Sequence, residues 1–121
     1  MAIQIVDTAS VFQKAPKPEA LEKLYTHRRP MEVKGFIKAY PFLVPLLVEA
    51  YDKIGEYFGS NPEIVLEVVT DPEGFDDRQL VAFIQGLANP DEALAKLGAF
   101  DKGWWLEASH KSRGKLCIHL E

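Results

Sequence analysis

The sequence predicts an α+β domain in which a small antiparallel sheet carries helices on one face. Three observations lead there. FLVPLLVEAYDKIGEYF (42–58) spaces its apolar residues three and four apart, the signature of a helix with one buried stripe. EIVLEVVTD (63–71) and RQLVAFIQG (78–86) follow as β-branched, alternating runs on either side of a Pro- and Gly-containing turn. KLCIHLE (115–121) is a last alternating run after a further helical stretch.

Taken in order, Ile3 and Ile5 flank polar Gln4 and precede Val6, a candidate strand over 2–6. Residues 8–30 hold three prolines, and APKP reads as an extended linker because each proline turns its predecessor away from helix. PEALEKLY (18–25) can form two helical turns, with Pro18 at the first position and Leu21, Leu24 and Tyr25 on one side. Alone it is too short to be stable, so it must dock on the body or stay loose. EVKGFIKAY (32–40) puts Val33, Phe36, Ile37 and Tyr40 on one helical face and Lys34 and Lys38 on the other. The main helix, over 41–58, must begin near Pro41 or Phe42, since Pro45 is tolerated only in a first turn. Gly59 and Asn61-Pro62 end it. The third helix, over 90–107, opens with Asn89 as N-cap and Pro90 behind it, and its two glycines, Gly98 and Gly103, suggest a break near 98–102. On the final strand Leu116, Ile118 and Leu120 face inward, joined in the core by Leu106 and one tryptophan. A first strand over 2–6 would complete βαββαβ, the ferredoxin-like order, although some 35 residues before the main helix is long for that fold. The domain reading is a basic leading arm, 1–30, on a single body, 31–121.

The arm matters electrostatically. Residues 1–40 carry seven bases and four acids, net +3, whereas 41–121 carry seven bases and fourteen acids, net −7, together the −4 of the chain. A pI near 5.4 gives no global attraction to nucleic acid or anionic lipid. One cysteine excludes an internal disulfide, no basic-then-apolar leader opens the chain, and FLVPLLV is far short of the roughly 20 residues a bilayer needs. A cytoplasmic location is expected.

Each cluster of chemistry-bearing residues has a plainer alternative. Cys117 and His119 share one strand face and could address a metal, with His110 in the preceding loop as a third donor. Same-face neighbours along one strand lie about 6.5–7 Å apart, too far for a direct nucleophile–base hydrogen bond, so no catalytic pair is assigned. No metal or cofactor is expected. DPEGFDD (71–77) gathers Asp71, Glu73, Asp76 and Asp77 but lacks the register of an EF-hand, and its composition is that of a solvated turn. In THRRP (26–30), Arg28 and Arg29 could touch phosphate, but without interleaved aromatics, salt links to the acidic body are the better reading. Trp104 and Trp105 diverge around the helix, so one should seal the core near Phe100 and the other, Trp105, should sit at an edge with a free indole N–H. Together with Tyr25, Arg28 and Arg29, the tryptophans form the candidate interaction surface.

PFLVPLLVEAYDKI (41–54), VLEVVTDPE (65–73), EALAKLGAFDKGWWL (92–106) and GKLCIHLE (114–121) resemble a set of short uncharacterised bacterial α+β proteins. The resemblance implies no activity, cofactor or catalytic residue; it fits a component that acts beside a partner gene product, as antitoxin-like proteins do. The function expected is that of a non-enzymatic, homodimeric interaction protein. A metal-binding or hydrolytic domain on the Cys117/His119 face and nucleic-acid binding through the arm are the alternatives.

Overall fold

A computed structural model describes residues 18–59, 61–70 and 78–121. The candidate strand over 2–6 and the acidic turn 71–77 lie outside these residues. The first described element is a helical turn, α1 (Leu21–Leu24), entered through a 3-10 turn at Pro18–Ala20. A two-residue strand follows, β1 (Thr26–His27), then α2 (Pro30–Ala39) and α3 (Leu43–Phe58). After β2 (Ile64–Thr70) and β3 (Arg78–Ile84) comes α4 (Pro90–Phe100), which runs on through a π-turn (Asp101–Trp105), one α turn (Leu106–Ala108) and a 3-10 turn (Ser109–Ser112) into β4 (Leu116–Leu120). Among the described residues, no helix is long and apolar enough to cross a membrane.

The stripes expected from spacing are the ones that are buried. Leu43, Leu46, Leu47, Ala50 and Ile54 of α3 and Val33, Phe36 and Ile37 of α2 pack on Ile64, Leu66 and Val68 of β2, Leu80, Ala82 and Ile84 of β3, and Leu116 and Ile118 of β4. Helices therefore cover one face of the sheet, because alternation sends every second strand residue to the same side. Part of the leading arm belongs to this body. Leu21 is wholly enclosed and Tyr25 nearly so, its hydroxyl donating to the Leu47 carbonyl at 2.7 Å. The two turns too short to stand alone are held by α3.

The sheet is mixed, which corrects the antiparallel expectation. Its order is β1-β2-β3-β4, with β2 and β3 antiparallel but β1 parallel to β2 and β4 parallel to β3. The reason lies in the connections: β3 reaches β4 through the whole α4 run, a crossover long enough to bring the chain back to the starting end of β3 and lay β4 beside it. The ferredoxin-like order also fails here. That arrangement splits its parallel strands with another between them, whereas β3 and β4 are direct neighbours.

Helix α4 keeps its regular pitch only to Phe100, and the break expected near 98–102 takes the form of a π-turn rather than an end to the helical run. Asn89 caps it as its composition predicts, accepting from the Glu92 N–H at 3.1 Å. The irregularity comes later, as the π-turn at 101–105. One extra residue in a turn rotates everything after it by about 100°. A second correction falls on the same run: Leu106, expected in the core, is 69% exposed, since six residues after the buried Phe100 it lies about 120° around the helix from it even on a regular pitch.

Candidate functional site

The second face of the sheet carries no helix among the described residues. Alternation places Val65, Glu67 and Val69 of β2, Gln79, Val81 and Phe83 of β3, and Cys117 and His119 of β4 on it. Its middle is apolar and closed, with Val65 and Val81 buried, Phe83 and Cys117 half-buried, and His119 exposed at the β4 side.

Arginines from the THRRP stretch reach onto this face. Arg28 continues β1, its N–H donating to the Leu66 carbonyl at 2.8 Å. Arg29 then adopts a left-handed φ of 52°, uncommon outside glycine, and starts α2 with Pro30 in its first turn. That reversal lets two adjacent residues, which would otherwise diverge, share one carboxylate. Arg28 Nη1 meets Glu67 Oε1 at 2.7 Å and Arg29 Nη2 meets Glu67 Oε2 at 2.6 Å. Arg28 also pairs with Glu121 at 2.9 Å, across the ring of Phe83 at 5.8 Å from its centroid, and Glu121 in turn accepts from Gln85. Arg29 is further held by Glu32 at 3.3 Å and donates to the Val68 carbonyl at 3.3 Å. These bonds raise the Arg28 pKa further above its already high range and lower that of Glu121. Both arginines are thus tied to the acidic body of their own chain.

Cys117 and His119 do share a face and stand alone on it. His110 lies in the 3-10 turn before β4, and among the described residues no three His, Cys, Asp or Glu side chains gather as a metal group. The His119 ring is close enough to the carboxyl of Asp101, on the π-turn, to lower its pKa, although burial raises it by more.

The tryptophans flank that π-turn. Trp104 packs on Phe100 at 5.6 Å between centroids, and its Nε1 donates to Glu49 Oε2 at 3.2 Å. Trp105 leans on Trp104 at 5.7 Å, and both are partly buried against the core. Gly103, between Phe100 and Trp104, lies against Tyr57 of α3: a Cβ there would overlap the Tyr57 hydroxyl and stand 3.1 Å from its Cζ. Tyr25, grouped with the tryptophans by sequence, is an internal residue whose hydroxyl is occupied.

A cleft of about 440 Å³ between α1 and α2 is the feature that spacing could not reveal. His27, Ile37, Lys38 and the Glu22–Lys34 pair, 2.8 Å apart, line it. The His27 ring is partly exposed, but its Nε2 is turned inward and has no hydrogen-bond partner among the described residues. Desolvation lowers the His27 pKa, with the nearby Lys34 charge adding to that and Glu22 and a backbone bond to Leu21 opposing it. Nothing in a lone histidine beside two arginines signals this, because the walls form only when α1 and α2 fold toward each other around β1.

Comparison of the chain with protein-family models, with curated proteins and with solved structures finds no match.

Proposed function

We propose that this chain is a non-enzymatic, cytoplasmic interaction protein that works as a homodimer, joined through the outer edge of β4. The observation that carries this reading is the contrast between the two ends of the sheet. At one end, β1 covers β2 for two residues, after which Arg29 takes the Val68 carbonyl, so that edge is blunted. At the other, β4 has no neighbour beyond β3 among the described residues. The Lys115 carbonyl accepts from Leu80 and the Glu121 N–H donates to Ile84, so odd-numbered residues point their backbone groups at β3. By alternation the N–H and C=O groups of Leu116, Ile118 and Leu120 point outward. LCIHL contains no proline, lysine or acid, the residues that usually guard an edge. A second strand laid on it would satisfy those groups.

Sedimentation of the full, tag-free chain at tens of micromolar tests this. A dimer is expected. Leu120→Pro removes one outward donor per chain at a position where edge strands tolerate proline. Two lost hydrogen bonds of about 1 kcal/mol each weaken the dimer roughly 30-fold. A strict monomer, or a dimer indifferent to Leu120→Pro, refutes the assignment of this edge.

A further inference from the structure

We infer that pairing two copies through β4 assembles a zinc site from Cys117 and His119 of each chain, which neither chain contains alone. The inference rests on the homodimer proposed above and goes beyond it to a ligand.

The register follows from the strand itself. Outward groups on Leu116, Ile118 and Leu120 require even-numbered residues to face even-numbered ones across the new interface. An antiparallel two-fold through Ile118 pairs the whole of β4, Leu116 with the partner's Leu120 and Ile118 with the partner's Ile118. It also sets the backbone of Lys115, at one end of the strand, opposite the partner's Glu121 at the other, although within each chain Glu121 is held by Arg28 and the Lys115 ammonium lies over the Tyr40 ring. A parallel ladder needs each outward-pointing residue opposite one that points away, as Leu80 stands opposite Leu116 here, which two like edges related by a two-fold cannot provide.

In this register Cys117 lies directly opposite the partner's His119, as a non-hydrogen-bonded pair. Such pairs are the closer kind, with Cα atoms about 4.5 Å apart. The two-fold repeats the pair one step along the strand, about 6.5–7 Å away. Two thiols and two imidazoles then occupy the corners of one small rectangle on the face that carries no described helix, where Cys117 is half-buried and His119 exposed. Within one chain the same residues are only two donors. Across two chains they become Cys₂His₂, a donor set zinc takes in tetrahedral geometry with Zn–S near 2.3 Å and Zn–N near 2.0–2.1 Å. Each thiol gives its proton to solvent as its sulfur coordinates, and no oxidant or reductant is involved.

The experiment titrates zinc chloride into the metal-free, tag-free full chain and follows mass by sedimentation, with cobalt(II) absorption as a second probe. The expected stoichiometry is one zinc per two chains, with the thiolate-to-cobalt and d–d bands of a tetrahedral site. If zinc binds only the dimer, free zinc at about a hundred times its dissociation constant tightens the dimer about a hundredfold. Cys117→Ser and His119→Ala should each abolish both effects while leaving the far-UV spectrum unchanged. One zinc per monomer, zinc binding that survives Cys117→Ser, or no binding at tens of micromolar overturns the inference. Rapid formation of a Cys117–Cys117 disulfide does so too. In this register the two cysteines are diagonal neighbours, about 7–8 Å apart between Cα atoms, beyond ordinary disulfide reach. A Leu120→Pro-sensitive dimer that takes no zinc defeats the metal site alone; a monomer with and without zinc defeats both readings.

Discussion

Gly103 offers a test in which two effects of the same substitution oppose each other. In an exposed helix interior, Gly→Ala stabilises by about 0.5–1 kcal/mol, because alanine loses less backbone entropy on folding. Gly98, one turn earlier, has nothing within 4 Å of an added Cβ, so Gly98→Ala should show that gain undiluted. Gly103→Ala has the Tyr57 ring in its way, with the hydroxyl overlapped outright and Cζ at 3.1 Å. Tyr57 cannot retreat freely, since its ring packs edge-on against the fully buried Phe100 at 5.6 Å. Overpacking of this kind costs about 1–3 kcal/mol, which outweighs the propensity gain over most of its range and leaves a net loss of up to about 2.5 kcal/mol. The two alanine variants should then differ by the overpacking cost itself, about 1–3 kcal/mol, or roughly 4–12 °C in thermal midpoint for a chain of this size. Urea and thermal unfolding followed by circular dichroism read this directly. The double variant Gly103→Ala/Tyr57→Phe removes the overlapping oxygen and should recover most of the loss. Gly103→Ala at or above wild-type stability, or a double variant no better than the single one, refutes the close-approach argument.

Leu21→Ala should destabilise by about 2–5 kcal/mol in the same unfolding assay, because the side chain is wholly enclosed; an effect near zero would return residues 18–25 to the status of a loose arm. Tyr25→Phe, which removes the donor to the Leu47 carbonyl, should cost about 1 kcal/mol. The His27 pKa is depressed below its ordinary 6.5, so the unfolded chain binds the proton more readily than the folded one. Its contribution is therefore present above about pH 6.5 and lost as pH falls through that value and below. Urea midpoints at pH 7.5 and 5.5 should differ for the wild type, and His27→Gln should narrow the difference. Arg28→Lys keeps the charge but loses the two-pronged contact with Glu121 and the reach to Glu67. It should lower the midpoint at low salt, with the deficit shrinking at high salt as the exposed partners are screened.

Several of these positions were legible from spacing alone. The inward faces of α2, α3, β2 and β3 follow from periods of 3.6 and 2, and the Asn89 cap from local hydrogen-bond chemistry. Cys117 and His119 on one face follow from alternation. The links from Arg28 and Arg29 to acids were the plainer reading of two unaccompanied arginines, although which acids accept them was not readable. Their partner Glu67 lies almost forty residues away, and it is the left-handed turn at Arg29 that brings both arginines to it. Leu106 reads as core from its apolar side chain, but it stands about 120° around the helix from the buried Phe100 even on a regular pitch, and it is exposed.

The sequence by itself determined which residues are helical, which are extended, and which side of each element is apolar, because those properties depend on neighbours within a turn or a strand. Only the tertiary structure decided the direction of β4, the two-residue strand β1, the π-turn and the inward-facing nitrogen of His27. Each of these depends on how whole elements are placed: a long crossover returns β4 parallel to β3, β1 pairs with β2 almost forty residues on, and α1 and α2 close around an imidazole. The edge of β4 belongs to both kinds. Its unguarded composition is written in LCIHL, but that it is the last of the described strands is a matter of the sheet's order.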